Sequence, residues 1–439
     1  MTGSWKCSIN GWSVCDPDPV LFLYMNRSSY PLFSRFGVEI EYMVVDRERL
    51  DVSPTTDEIL FHFGNGPTSE VEFDQATWSN ELVRHVLEFK INQPAVQLES
   101  CVDIFQEQVR KANLWLAGEG RLLLPTGMHP WMNPKRETHL WPFEGSEIYQ
   151  AFDRVFGCQG HGWSNLQSVH LNLPYSSEEE FVHLHAAIRL LLPLIPALSA
   201  STPFQEGQHL GFMDQRLESY RTNARRFDCV SGQVIPEPFD SYQAYREGVF
   251  DPIENCLKPL DPDGIFEAEW VNARGAIARL SRGSIEIRII DTQECPLADL
   301  AILFLVVEAL KVFLARHSGS PTAMLSYPQE CLVDLFKQSS RDADRTILKD
   351  PVYLDLVGID ANESCMAVDF WNQVYRTKVS ASSIFFEPLG IILNQGTLAR
   401  RMLDTVGSRP SHEELQLLYR SLGHCLHDGV LLARDAPVG

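Results

Sequence analysis

The residues with the most chemical promise sit two apart on short runs of alternating polarity. In Gly37-Val38-Glu39-Ile40-Glu41-Tyr42, an extended backbone sends Glu39 and Glu41 to one face and Val38, Ile40 and Tyr42 to the other. Ser284-Ile285-Glu286-Ile287-Arg288-Ile289-Ile290 repeats the device, setting Glu286 and Arg288 together opposite three isoleucines. Between Gln167 and Leu173 the polar set is Ser168, His170 and Asn172. A further run carries Glu81 and Glu88, which have opposite parity in one continuous strand, so both cannot face one site without a bulge. Glu88 is favoured, because a carboxylate embedded among apolar residues needs a partner.

Taken singly, each pattern is more often structural. A Glu-x-Glu pair is usually a solvated strand, a Glu–Arg pair on one face is a surface ion pair worth about 0–1 kcal/mol, and a lone histidine more often packs than reacts. Four such strands together suggest a sheet whose polar face is a site. Crowded carboxylates repel, and divalent cations are the usual remedy. Magnesium takes about six oxygen ligands and shares them between a few carboxylates and substrate phosphates, so a magnesium-nucleotide site fits these residue types. Walker, Rossmann, GxSxG and HExxH patterns are all absent from the sequence.

The elements that must position these groups follow from periodicity. Strands are expected at Phe36–Asp46, Glu70–Asp74, Leu82–Asn92, Leu122–Thr126, Gln167–Leu173 and Ser284–Ile290. A helix spans Leu98–Leu116 and ends near Gly118, Ser177 and Glu180 form a capping box opening another toward Leu192, and a buried helix begins near Pro296. The stretch 205–265, rich in Gly, Pro and Asp, reads as a long connection. Helical spacing then dominates at Glu330–Phe336, Cys365–Tyr375, Gly396–Thr405 and Ser411–His427. Strands early and helices late point to an α+β fold with an antiparallel sheet. Residues 1–30 lack a sustained period and read as an N-terminal extension, with 31–439 as a single domain.

Composition narrows the partners. The 439 residues, 44% hydrophobic and 22% charged, can bury a sizeable core. A formal charge of −21 repels phosphates and anionic lipid, so neither nucleic acid nor membrane is expected as a partner. Ten scattered cysteines without a CxxC pair fit reduced thiols, and the expected location is cytoplasmic. The apolar stretches 184–200 and 297–315 are interrupted by charges or prolines and read as buried helices.

The segments GVEIEY, NELVRHVLEF, GMHP, SVHLNL, STPFQEG and SIEIRIIDTQ, in this order between residue 34 and about residue 430, resemble the type 2 glutamate-cysteine ligases, or carboxylate-amine ligases. The resemblance implies a glutamine-synthetase-like domain, with an antiparallel sheet cupping ATP and two or three magnesium ions and helices on the opposite face. It implies that ATP phosphorylates a carboxylate, usually the γ-carboxylate of glutamate, and that an amine such as cysteine attacks the acyl phosphate. Residue by residue, it assigns Glu39, Glu41, Glu88 and Glu286 to metal, His170 to the nucleotide phosphates and Arg288 to phosphate stabilisation. Arg288, Glu41 and His170 are then the catalytic set. Beside them Arg221, in Ser219-Tyr220-Arg221 of an Arg-rich stretch, is a candidate for clamping a substrate carboxylate or the nucleotide cofactor, with a surface arginine as the alternative. Small amino acids and amines are the implied substrates, and such enzymes often associate as homo-oligomers. The chain departs from the pattern at Ser168, where a second histidine is common, at Ile40, where a third glutamate often stands, and at Thr202, often serine. Three alternatives share the fold: a ligase for another amine, a guanidino-type phosphotransferase, and a non-catalytic nucleotide-binding relative.

Overall fold

The alternating segment Gly37–Asp46 becomes the central strand, β1, of an eight-stranded sheet. In a computed structural model that describes residues 30–359 and 364–432, seven further strands surround it. They are β2 (Glu70–Glu72), β3 (Ala76–Asn80), β4 (Val86–Ile91), β5 (Arg121–Leu124), β6 (Ser168–Pro174), β7 (Ala276–Arg279) and β8 (Ser284–Asp291). The order is β2-β3-β4-β1-β6-β8-β7, with β5 pairing the end of β1, and every pairing is antiparallel. The N-terminal extension expected over 1–30 lies, except for Tyr30, outside the described residues.

One face of this sheet is the core. Val38, Ile40 and Tyr42 of β1, Leu87 and Phe89 of β4, Leu171 and Leu173 of β6, and Ile285 and Ile287 of β8 are all buried in one apolar cluster. Each fully buried side chain of this size contributes about 1.5–3 kcal/mol. Helices α1 (Glu99–Gly118), α2 (Glu178–Leu191) and, further along, α4 (Pro296–Arg316) add Phe105, Val109, Ile188 and Leu303 to the same cluster. Between α2 and α4, α3 (Gln215–Asn223) is capped by Asp214, whose carboxylate accepts the Leu217 N–H. Among the described residues no helix is long and apolar enough to cross a membrane.

Several expected elements differ in detail. Leu82–Asn92 is not one strand: only Val86–Ile91 pairs in the sheet, while Val83 bridges outward to Leu140. Ala76–Asn80 and Ala276–Arg279, too short or too rich in alanine to show a period, are strands that the sequence reading omits. The stretch 205–265 is not an irregular connection, since it holds α3 and a helical run through Tyr242–Leu257. Only half of the Ser177 capping box forms: Ser177 Oγ accepts the Glu180 N–H at 3.1 Å, but the Glu180 carboxylate turns to Ser176. The helical C-terminal region is present, with helices at Ala367–Lys378, Leu398–Val406 and His412–Asp428.

Candidate active site

Antiparallel pairing converts alternation along each strand into rows across the sheet. The four strands that carry the candidate groups are adjacent, in the order β4-β1-β6-β8. Glu41 stands opposite Glu88; Glu39 stands between Lys90 on β4 and His170 on β6; Asn172 stands opposite Glu286. Glu39, Glu41, Glu88, His170, Glu286 and Arg288 therefore share the polar face.

His170 is the hinge of this face. Its Nδ1 lies 3.1 Å from Glu39 Oε2, and its Nε2 lies 2.9 Å from Ser168 Oγ and 3.8 Å from Glu41 Oε1. Burial opposes its protonation, but the Glu39 hydrogen bond and the charges of Glu41 and Glu286 prevail and raise its pKa. Ser168, which departs from the resembling family's common histidine, ties the arrangement together, because its N–H also donates to Glu41 Oε2 at 2.8 Å.

The β4 side carries more carboxyl groups than cationic partners. Glu88 accepts from Ser79 Oγ and pairs with Lys90 Nζ, each at 2.8 Å. Burial pushes its pKa up to about 7, Lys90 opposes the rise, and Glu39 and Glu41 reinforce it. Glu81, set aside on parity, joins the group: the chain turns between β3 and β4, so continuous-strand alternation does not apply. Burial, Glu88 and Glu41 hold its carboxyl well above the usual range. Ligand atoms of Glu39, Glu88 and His170 lie within 4.8 Å of one another, as do those of Glu41, Glu81 and Glu88. Glu88 belongs to both sets. A donor set of hard carboxylate oxygens, with one imidazole and mutual repulsion to relieve, fits divalent cations of the magnesium type.

The β8 side is matched internally. Glu286, assigned to metal by the resemblance, has both oxygens engaged by arginines: Arg279 Nε at 2.7 Å and Nη2 at 3.2 Å, and Arg288 Nε at 3.2 Å. Burial would raise its pKa, yet Arg288, Arg279 and His170 hold it far below the usual range. Arg288 sits at a β-bulge. Leu171 faces Ile287 and Val169 faces Ile290, so β8 carries one extra residue opposite His170. The strict alternation read from the three isoleucines ends there, and Ile290 rather than Ile289 stands opposite Val169.

Past the bulge, Asp291 is a buried hub that the sequence reading did not single out. It pairs with Arg216 of α3 and accepts from Ser201 N–H at 2.8 Å and Thr202 Oγ1 at 3.0 Å. Thr202 Oγ1 in turn accepts the Arg216 N–H at 3.1 Å, a role that a serine hydroxyl could fill equally. Gly127 lies against this hub, where a Cβ would come within 2.7 Å of Asp291 Oδ1. Arg221, expected to clamp a substrate, is engaged elsewhere: it pairs with Glu218 on its own helix at 2.7 and 3.0 Å. Arg216, one and a half turns earlier on α3, lines the cavity instead and leaves Nη2 without a hydrogen-bond partner.

A cavity of about 250 Å³ opens off one end of this face, lined by Glu41, Glu81, Ser168, His170, Arg216 and Arg288 together with apolar side chains. A second cleft of about 260 Å³ opens off the other end, where Glu39, Asn172 and Gly37 meet Arg35 and Arg282.

The model of glutamate-cysteine ligase family 2 matches residues 35–421. The chain belongs to this family. Members of glutamate-cysteine ligase family 2 are carboxylate-amine ligases, the enzyme class expected from the motifs. A relative from Archaeoglobus fulgidus, described as an uncharacterized protein, is 37% identical over 61% of this chain and 71% of its own length. A "Putative glutamate--cysteine ligase 2-1" of Rubrobacter xylanophilus is 26% identical over 61% of this chain and 63% of that one. A "Putative glutamate--cysteine ligase 2" of Bordetella avium is 24% identical, with 66% of each chain aligned. The chain thus spans just under two thirds of the length of these two named family 2 relatives. The fold is similar to that of glutamate-cysteine ligase from Francisella tularensis, solved in complex with AMP, with a TM-score of 0.58 at 10% identity over 92% of this chain and 90% of that one. The α+β fold with its antiparallel sheet and helical C-terminal region is therefore shared with a ligase.

Proposed function

We propose that this family 2 member uses ATP to activate the γ-carboxylate of glutamate as an acyl phosphate and transfers the acyl group to an amine. The observation that carries this reading is the convergence of Glu39, Glu41, Glu81, Glu88 and His170 on one buried face beside Arg288. Magnesium would be held by those four carboxylates and His170, and when bound it supplies neutralisation of phosphate oxygens. Glu286, with Arg279, orients the Arg288 guanidinium toward the same face, where it meets charge developing on the transferred phosphoryl group. Arg35 and Arg282 suit the second cleft to nucleotide, and the open Nη2 of Arg216 suits the first to an acid substrate.

In the first step a carboxylate oxygen bonds to the γ-phosphorus and ADP leaves with the electron pair. In the second, the amine nitrogen bonds to the acyl carbon, the C–O bond to phosphate breaks, and the departing phosphate takes the nitrogen's proton. Incubation with ATP, Mg²⁺, glutamate and hydroxylamine should yield γ-glutamyl hydroxamate and stoichiometric ADP. ADP formation with a guanidino acceptor and no hydroxamate would favour the phosphotransferase reading, and loss of all magnesium-dependent ATP binding in calorimetry would favour a non-catalytic relative.

A further inference from the structure

The first cavity has two chemically distinct ends. Its inner end, at the sheet, is polar and carries His170, Arg216 and Arg288. Away from the sheet the wall is Ile148, Phe152, Trp163, Leu166, Trp270 and Val271. This wall is held in shape from behind: Trp163 stacks on Phe156 with ring centres 5.1 Å apart and planes 26° from parallel, and Phe152 meets Trp163 edge-on at 5.9 Å. Trp270 is different, for it lines the cavity and yet is 52% exposed at the rim. An indole left half in water beside an apolar wall gains cover only when an apolar group enters.

Geometry assigns the two ends to different reactants. The acyl carbon under attack must lie near Arg288 and the polar face, so the amine nitrogen must also reach that end. The rest of the amine then projects along the apolar wall. Glutamate, with its second carboxylate and ammonium, is poorly suited to that wall, and the thiol of cysteine would leave most of it uncovered. Resting on the γ-glutamyl reading above, we propose that the acceptor is an amine bearing a ring-sized apolar group, of the aromatic amine class, rather than cysteine.

The experiment compares 2-phenylethylamine with cysteine as acceptors at saturating ATP, Mg²⁺ and glutamate, reading ADP release, with hydroxylamine run in parallel to read activation of the acid alone. A single methylene in an apolar pocket is worth ~10–200-fold in kcat/KM. The expected result is a kcat/KM for 2-phenylethylamine at least roughly tenfold above that for cysteine. Trp270→Ala should raise KM for 2-phenylethylamine at least about fivefold with a smaller change in kcat, because it removes ground-state cover rather than a group at the reacting atoms. Trp270 is half-exposed, so this variant should fold. A kcat/KM for cysteine, by ADP release, equal to or better than that for 2-phenylethylamine, or an unchanged KM in Trp270→Ala, overturns the inference, and hydroxamate formed with hydroxylamine leaves the ligase reading standing. Absence of hydroxamate removes the γ-glutamyl reading, and the aromatic acceptor falls with it.

Discussion

The polar face of the sheet divides into two halves that handle charge in opposite ways. On the β4 and β1 side, Glu39, Glu41, Glu81 and Glu88 are met by Lys90 and His170. On the β8 side, Glu286 is held by Arg279 and Arg288, and Asp291 by Arg216. The second half is neutralised by the chain itself and keeps its geometry without help. The first sets four carboxyls against two cationic side chains, and the raised pKa values of Glu81 and Glu88 let protons make up the difference, which divalent cations arriving from outside would displace. A structural framework and a cation-receptive surface thus lie within three strands of each other.

The largest effect should come from breaking the matched half. Glu286→Ala leaves two inward-facing arginines unpaired and should destabilise the fold by about 3–5 kcal/mol in urea unfolding. Glu88→Gln relieves repulsion and loses one Lys90 pair, but the Lys90 ammonium is a third exposed and also stands opposite Glu39, so the cost should be roughly half as large or less. Equal losses in the two variants would erase the distinction between the halves. Next in size are the catalytic variants: Arg288→Ala and Glu41→Gln should lower turnover by about 10²–10³ or more, with far-UV circular dichroism near wild type in both and an unfolding midpoint near wild type in Glu41→Gln. Wild-type turnover in either would mean that the reacting groups lie elsewhere.

Added Mg²⁺ sharpens the comparison from the other side. At a hundred times its dissociation constant it should stabilise the wild-type protein by about 2.7 kcal/mol, read as a rise in thermal midpoint, and Glu88→Gln should abolish most of that rise. A separate effect, felt only on acidification, concerns a histidine remote from both halves. His185, under the apolar face, has its pKa lowered to about 3 by burial, with Arg189 and Arg274 adding to the shift. An unfolded chain binds that proton near pH 6.5 and the folded one does not, so stability is full above this pH. It declines by about 1.4 kcal/mol per pH unit as pH falls toward 3. His185→Leu should flatten the slope by that amount, with or without Mg²⁺, and a Mg²⁺-dependent change would link this histidine to the site.

How much of this was legible in the sequence depends on whether alternation holds locally. Glu39, Glu41, His170 and Glu286 lie on unbroken stretches of strand, so parity alone placed them on one face, and adjacency of four strands made that face a site. Glu81 was lost because a turn, not a strand, separates it from Glu88, and Leu82–Leu87 contains no Gly, Pro, Asn, Asp or Ser to mark that turn. Asp291 has opposite parity to Glu286 and Arg288 and reaches their face only through the bulge. Arg216 and Arg221 sit together on one short helix, and nothing in composition says which of them turns inward. Lys90 shares parity with Glu88 and could have been found by the same rule.

The extra residue in β8 has a metrical consequence. Glu286 and Arg288 are two steps apart, whereas Arg288 and Asp291, on the same face, are three. On β6 the matching interval, Leu171 to Val169, is two steps, or roughly 6.6 Å at about 3.3 Å per residue, so three steps of β8 are fitted into the length of two and the strand bends there. Deleting Ile289 would leave Ile290 opposite Val169 and Asp291 opposite Ser168, with every polar group still facing the same way, and yet straighten the strand between Arg288 and Asp291. One inserted residue therefore sets the angle between the guanidinium that faces the reaction and the carboxylate that anchors α3, without altering the chemistry of either.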